Sequence, residues 1–421
     1  ILMYKLFSFF IFFIILACSR DKYDKPAPVP EETAQTWIER KVREHYYWYQ
    51  DIPPSEQLDF SIPIPDFFTS LLSDQDGKKQ NGIVKHFSWL EEHTDTKAYQ
   101  GNRTTYGLEF LMYEKMACIL YVLPSSPAAR AGLKRGEWIS AINGSPLTPA
   151  NASTLYNGGD IQLTIYREKP GNQYVFSRTV EVKAACRVKD NPVFLDTVYS
   201  IKNRQIAYLV YNHFTPGPDG PYDETYNNSL RRVFARFAAQ QVSELILDLR
   251  YNGGGQSSCA SLLASMIIPS QYLNQEFCHI VYNDKHPEKN GTIPFKESYI
   301  YQGADGANLN LRRVFILTGR QTASSAELVI NCLRPYMEVI LIGDRTFGKN
   351  VAFEEIRNDK LKLTLHLIVA QAFNKNGESD YENGFYPEKD HILIESTQPL
   401  KELGDTTECL LHHTLKQITG K

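Results

Sequence analysis

Residues 245–255 read "LILDLRYNGGG". An apolar run of strand length stops at three glycines, and the helix-like "SSCASLLASMI" follows directly. This is the pattern of a buried strand feeding a helix through a tight turn. Glycine at such a turn lets backbone N–H groups come close to a ligand, and a helix start favours negative charge. Taken alone, the stretch is equally a plain strand-to-helix turn.

The same rhythm extends on both sides. "QIAYLVYNHF" reads as a strand and "NSLRRVFARFAAQ" as a helix with Leu230, Val233, Phe234 and Phe237 on one face. Downstream, "RRVFILTG" is a strand, "SSAELVINCLRPY" a helix and "EVILIG" a strand. This alternation predicts an α/β layer with partly parallel strands. "KLKLTLHLIVAQAF" adds strand, and "TTECLLHHTLKQI" closes with a helix.

Two further strand ends carry chemistry-bearing residues. "LTGRQTASSAELV" (317–329) opens a helix with Thr322, Ser324 and Ser325, which by themselves serve equally as N-caps. "GDRTFGKN" (343–350) sets Lys349 in a glycine turn. The spelling is close to a phosphate-binding loop, but Asn350 lacks the Mg²⁺-binding hydroxyl. The residues that follow read as strand where that loop requires a helix. Consecutive strand ends of one sheet bring their loops together, which places a glycine-rich N–H trap, a Ser hydroxyl and a Lys amine at one edge. A Lys acts as base toward Ser only when burial lowers its pKa from about 10.4. "VILIG" and Phe347 are the apolar surround the sequence offers. No G-x-S-x-G or H-E-x-x-H is present, and Ser324 and Lys349 are too far apart for S-x-x-K.

These motifs, in this order, resemble the C-terminal processing peptidases, or tail-specific proteases: Ser–Lys endopeptidases with a crotonase-like core and an embedded PDZ domain. "YENGFYPEKD" resembles that family's G-x-x-P-D turn. The resemblance implies Ser324 as nucleophile and Lys349, 25 residues later, as general base. Ser325 remains open as the alternative nucleophile. It also implies the backbone N–H groups of Gly254 and Ser325 as oxyanion donors. Glu327 either orients the pair or is a solvated helix residue. The family has Pro at the position of Gly253 and Gly at that of Asn350. Its Gln four residues past the Lys, which holds the amine, is Phe353 in this chain. No cofactor is implied, and the partners implied are protein or peptide substrates.

Upstream, "SPAARAGLKRGEWISAING" and "YGLEF" resemble a PDZ domain over 99–185. Gly107, Leu108, Glu109 and Phe110 then stand at the loop and strand that bind a peptide C-terminus. Residues 31–98 read as a small helical domain. Trp37, Ile38, Val42, His45, Tyr46 and Tyr49 fall at helical spacing, "DFFTSLLS" and "HFSWLEEH" suggest two more helices, and Pro53-Pro54 ends the first. The peptidase core is expected over 195–415, so the fold class is α+β and multidomain.

The 421 residues carry 43% hydrophobic and 22% charged residues and a net charge of −3, which offers no nucleic-acid footprint. The start is distinct. After Met3, the expected initiator, an apolar run from Leu6 to Ala17 ends at Cys18. The run is short for a membrane span and fits a signal-peptide core. "ILAC" resembles the bacterial lipobox, which makes Cys18 the lipidation site, residues 1–18 the signal peptide and the Pro-rich 19–30 a tether. The expected location is the bacterial cell envelope, lipid-anchored and facing the periplasm or the cell surface. The other six cysteines are scattered without C-x-x-C, so no disulfide pair or metal cluster is named, and no feature specifies an oligomeric state. The alternative function is a non-catalytic lipoprotein that binds peptides or other ligands on a peptidase scaffold.

Overall fold

Five strands lie side by side in chain order: Val193–Ile201, Arg204–Tyr211, Glu244–Asp248, Arg313–Thr318 and Glu338–Gly343. The first pair is antiparallel and the other three pairings are parallel. This computed structural model describes residues 32–93, 102–171, 173–397 and 399–420. The Cys18 lipidation site and the 19–30 tether lie outside the described residues.

The near-continuous apolar strands are explained by cover on both faces. Ala207, Leu209, Leu245, Leu247 and Ile316 point toward the helices Thr225–Ala239, Ser257–Ile267 and Ser325–Leu333. Their alternates Tyr208, Val210, Ile246, Phe315 and Leu317 pack under Leu410, Leu411, Leu415 and Ile418 of the final helix, Cys409–Thr419. Parallel pairing puts the three loops that follow Asp248, Thr318 and Gly343 on one edge, as the sequence pattern predicts.

A second, antiparallel sheet runs in the order Gly291–Pro294, Glu276–Tyr282, Leu363–Phe373 and Val351–Asn358, with Trp89–Glu92 also paired to Leu363–Phe373. The strand at Val351–Asn358 confirms that no helix follows Lys349, which removes the phosphate-loop reading. Trp89–Glu92 corrects one expectation. "HFSWLEEH" is not a helix, because the open edge of Leu363–Phe373 supplies a ladder that pairs Trp89 with His366 and Leu90 with Leu365.

The N-terminal helices Ala34–His45 and Ile64–Ser70 form as expected, burying Trp37, Ile38, Val42, Phe67 and Phe68. The first helix stops at His45, so Tyr49 falls in the short 3₁₀ turn Tyr49–Asp51. The buried face does not close on itself. It shares one core with Leu365, Leu367 and Val369 of the second sheet, so this unit is stabilised by the peptidase-like core rather than alone.

Residues 102–189 form a separate β-rich unit. Its main sheet runs Gln173–Val182, Ile161–Lys169, Glu137–Ile142, Met116–Val122 and Leu108–Tyr113, and Ser145–Pro146 pairs with the middle strand. A small helix, Pro127–Arg130, lies where "SPAARAGL" predicts it and is capped by Ser126. Cys186–Lys189 pairs with Asn102–Thr105, so the unit closes at Lys189, four residues past the expected boundary. All six described cysteines are free thiols.

Candidate functional site

The three loops at the sheet edge are stitched together by hydrogen bonds. Ala323 N–H donates to Asn252 O (3.0 Å), Thr322 Oγ1 to Leu249 O (2.8 Å) and Phe347 N–H to Thr322 O (2.9 Å). Gly254, at φ +102°, sits against the serine turn. A Cβ there would fall 2.7 Å from Ser324 Cβ and 2.9 Å from Ala323 O, so only glycine lets the loops approach this closely.

Ser324 precedes the helix Ser325–Leu333 with φ 55° and ψ −118°. A non-glycine residue in this region costs about 1–3 kcal/mol and is held only by its surroundings. Here the surroundings include the N–H of Ser324 bonded to Glu327 Oε2 (3.1 Å). The structure separates the two serines. Ser325 Oγ donates to Gly255 O (2.6 Å) and is committed to holding the glycine loop, which leaves Ser324 as the candidate nucleophile.

Glu327 is fully buried, not solvated. Its Oε2 accepts from Ser324 N–H and from Lys349 N–H (2.8 Å). Its Oε1 accepts from Gly348 N–H (2.6 Å) and Thr346 Oγ1 (2.5 Å). Burial pushes the carboxyl above its ordinary range, and these four donors pull it back. All four contacts reach the serine and lysine turns and none reaches the lysine amine.

Lys349 is drawn below the ordinary lysine range, chiefly by burial, with the negative charges of Asp76 and Glu327 opposing that shift. Its Nζ lies 5.3 Å from the centre of the Phe87 ring and 5.0 Å from that of Phe353. The apolar surround is therefore Phe87 and Phe353. Phe347, which the sequence suggested, packs against Phe87 with ring centres 5.9 Å apart, and both Phe347 and Phe353 are partly exposed. Among the described residues Ser324 Oγ and Lys349 Nζ make no direct hydrogen bond, as is common before substrate tightens a site.

One oxyanion assignment needs correction. Gly254 N–H is not free; it donates to Asn252 Oδ1 (2.8 Å), because an Asn two residues ahead folds its side chain over the turn. Ser325 N–H, at the first turn of its helix, has no such partner among the described residues.

Sequence reasoning missed four contributors. Asn252 is fully buried and ties the glycine loop to Tyr211 O (2.8 Å) as well as to Ala323. Thr346 bridges Glu327 and Phe385 N–H (2.7 Å), fixing the "YENGFYPEKD" segment over the lysine turn. Asp76 and Phe87 come from the N-terminal unit. Asp76 is fully buried and accepts from Tyr46 Oη (2.9 Å) and from the N–H groups of Phe87 and Ser88 (3.1 Å each). Nothing local in the sequence marks them, since their role arises only from docking against Lys349. A cleft of about 860 Å³ opens beside the lysine turn, with Lys78, Arg345, Phe347 and Asn350 on its walls.

In the β-rich unit, Leu108–Tyr113 is an edge strand of the sheet. Gly107 N–H bonds Thr105 Oγ1 (3.0 Å), Leu108 and Phe110 are buried, and Glu109 pairs with Arg103. The rings of Phe110 and Tyr156 lie 5.0 Å apart, tilted by 35°.

The profile of peptidase family S41 matches residues 205–390, and that of the peptidase S41 N-terminal domain matches 33–89. A crystal structure assigned to an S41 protease of Bacteroides fragilis is 34% identical, with TM-score 0.78, covering 93% of this chain and 99% of that one. The chloroplastic C-terminal processing peptidase of Tetradesmus obliquus is 25% identical over 269 residues, 60% of this chain and 52% of that protein. The carboxy-terminal-processing protease of Bartonella bacilliformis is 23% identical over 313 residues, 71% of this chain and 63% of that protein. The chain thus spans between half and two-thirds of these two curated relatives. The matched profiles cover both the N-terminal unit that supplies Phe87 and the core that supplies Ser324 and Lys349, and the chain belongs to peptidase family S41.

Proposed function

We propose that the protein is a serine endopeptidase that cleaves exposed or C-terminal segments of exported proteins through Ser324 and Lys349. The observation that carries this reading is the shared Glu327 carboxylate, which holds the backbone of both residues at one sheet edge. Ser324 Oγ attacks the peptide carbonyl while the neutral Lys349 amine takes its proton and returns it to the leaving amine. Ser325 N–H, at the start of its helix, donates to the developing oxyanion. Water then hydrolyses the acyl-enzyme. Substrate enters along the cleft walled by Lys78 and Arg345, and the edge strand from Gly107 to Phe110 recruits an extended peptide by strand addition. Lipid at Cys18 anchors the enzyme to the cell envelope.

Ser324→Ala and Lys349→Ala are each expected to abolish cleavage of a reduced, carboxymethylated protein while leaving the circular dichroism spectrum unchanged. Cleavage retained in both variants overturns the assignment. The second reading, a binding protein without catalysis, draws on the missing Ser324–Lys349 hydrogen bond. A fluorophosphonate probe separates the two, since labelling that disappears in Ser324→Ala supports the peptidase. Cys18→Ala is expected to move the protein from the membrane to the soluble fraction.

A further inference from the structure

The β-rich unit and the peptidase core meet around an apolar pocket of about 140 Å³. From the sheet come Leu111 and Tyr113 on the edge strand, Leu120 on the next strand and Trp138 on the one beyond. From the segment ahead of the final helix come Leu393, Ile394 and Leu400. Gly319, Arg320 and Gln321 line it from the core. That loop reaches Ser324 three residues on, so the pocket and the candidate nucleophile share it.

Exposure places the mouth of the pocket. Leu111, Tyr113 and Ile394 are 41, 36 and 47% exposed, whereas Leu120 and Trp138 are 5 and 7% exposed. The pocket therefore opens at the edge strand and deepens across the sheet. Its interior makes no polar demand. Trp138 Nε1 donates to Glu168 Oε2 (3.2 Å), and Glu395 accepts from Arg250 Nη1 (2.6 Å) and Tyr251 Oη (2.6 Å). Among the described residues, no side-chain polar atom lining the pocket is buried without a partner. An apolar occupant suits such a surface, and a charged one would be left unpaired. Arg135 ties the two sides together, donating to Leu120 O on the sheet (2.7 Å) and to Lys401 O beside Leu400 (2.7 Å).

The edge strand decides what the occupant is. Leu108, Phe110 and Met112 face the core of the β-rich unit, whereas Leu111 and Tyr113 face the pocket. A peptide added to this edge continues the sheet, and each of its side chains points to the same face as the strand residue it opposes. With the peptide carboxylate held between Gly107 and Phe110, its last residue opposes Phe110, and the second and fourth from the end oppose Leu111 and Tyr113. Opposed side chains lie about 5 Å apart, so a long one reaches the mouth. An apolar cavity of about 150 Å³ holds a benzene ring, and this pocket is of that size. We propose, on the strand-addition reading above, that the pocket binds a leucine or phenylalanine side chain from the second or fourth residue before the carboxyl end of the recruited peptide. The terminal and third residues face the β-rich unit alone. Selectivity at the alternate positions arises only where the two units join.

The test uses the full chain carrying Ser324→Ala, which binds peptide without turnover. The ligands are short fluorescein-labelled peptides of alanine and serine, with phenylalanine placed at each of the last four positions in turn. Fluorescence anisotropy is expected to show about tenfold tighter binding for phenylalanine than for alanine at the second or fourth position from the end, the gain from burying one ring. Ile394→Trp, at an exposed position, puts an indole in the mouth and cancels that gain while the affinity of the peptide without phenylalanine stays the same. Leu111→Trp, on the other lip, does likewise. Equal affinity for phenylalanine and alanine at both positions overturns the proposal, as does a gain that survives both substitutions or the absence of peptide binding. Fluorophosphonate labelling of the protein with Ser324 intact keeps the two readings apart. Labelling without the phenylalanine gain removes the pocket and leaves the peptidase assignment standing. The gain without labelling removes the peptidase assignment and leaves the pocket standing.

Discussion

Lys349 Nζ lies 5.0 Å from the centre of the Phe353 ring, at the position where the family resemblance leads to an amide side chain. Burial keeps the amine below its ordinary pKa, whereas an amide oxygen at this position would accept a bond from the ammonium and favour the charged form. Replacing that acceptor by Phe353 leaves the neutral amine, which the proposed general base requires, without this competing contact.

Phe353→Gln is therefore expected to raise the Lys349 pKa. Because the proposed base works unprotonated, the acidic limb of the kcat/KM profile should move to higher pH. Asp76→Asn removes the largest charge opposing the shift and should move the same limb to lower pH. Limbs that move together, or not at all, would show that neither group sets the base.

Glu327→Gln replaces an acceptor of four donors with a side chain that has one acceptor oxygen and an NH₂ group. At least one of the N–H groups of Ser324, Gly348 and Lys349 or the Thr346 hydroxyl loses its partner. The cost is about 1–3 kcal/mol of stability for an unmatched buried group. Activity is expected to fall mainly in kcat, because positioning is lost rather than substrate contact. A variant with normal kcat and raised KM would place Glu327 in substrate binding instead.

Gly254→Ala forces a Cβ to within 2.7 Å of Ser324 Cβ at a backbone angle of φ +102°. It should cost several-fold more activity than any neighbouring change and about 1–3 kcal/mol of stability. Gly253→Ala meets nothing within 4 Å and serves as the control, with stability expected within about 0.5 kcal/mol of wild type. Equal effects of the two changes in thermal unfolding and in activity would remove the close approach as the reason for Gly254.

Glu408 holds Arg250, two residues ahead of Asn252, through bonds of 2.8 and 3.2 Å. Although burial opposes it, the Arg250 charge and these bonds bring the Glu408 pKa from 4.5 down to about 2. A depressed carboxylate contributes stability that is complete above about 4.5 and disappears as pH falls toward 2. The difference in unfolding free energy between wild type and Glu408→Gln should be on the order of 3 kcal/mol at pH 7. It should shrink across that acidic window in denaturant titrations. A pH-independent difference would assign Glu408 a packing role only.

The order of strands and helices in the core was legible because strands covered on both faces must be apolar throughout, and "LILDLRYNGGG" and "VFILTG" declare that directly. A serine turn and Lys349 could be placed at one edge because parallel strands deliver their C-terminal loops there, whereas Ser324 and Glu327 were singled out by the family resemblance. The strand at Trp89–Glu92 was not legible, since its local pattern fits a helix and only the open ladder at Leu363–Phe373 selects the extended form. The resemblance favoured Ser324 over Ser325 by spacing, but the bond from the Ser325 hydroxyl to Gly255 O was not legible, because it depends on how the glycine loop docks.

By itself, then, the sequence determined where glycine, serine and lysine meet, because periodicity and turn chemistry act over a few residues. Only the tertiary structure decided what surrounds the lysine. Asp76 and Phe87 reach Lys349 from more than 260 residues away. The cause is shared burial. The N-terminal helices have no closed core of their own, so they dock on the second sheet and bring their polar groups with them.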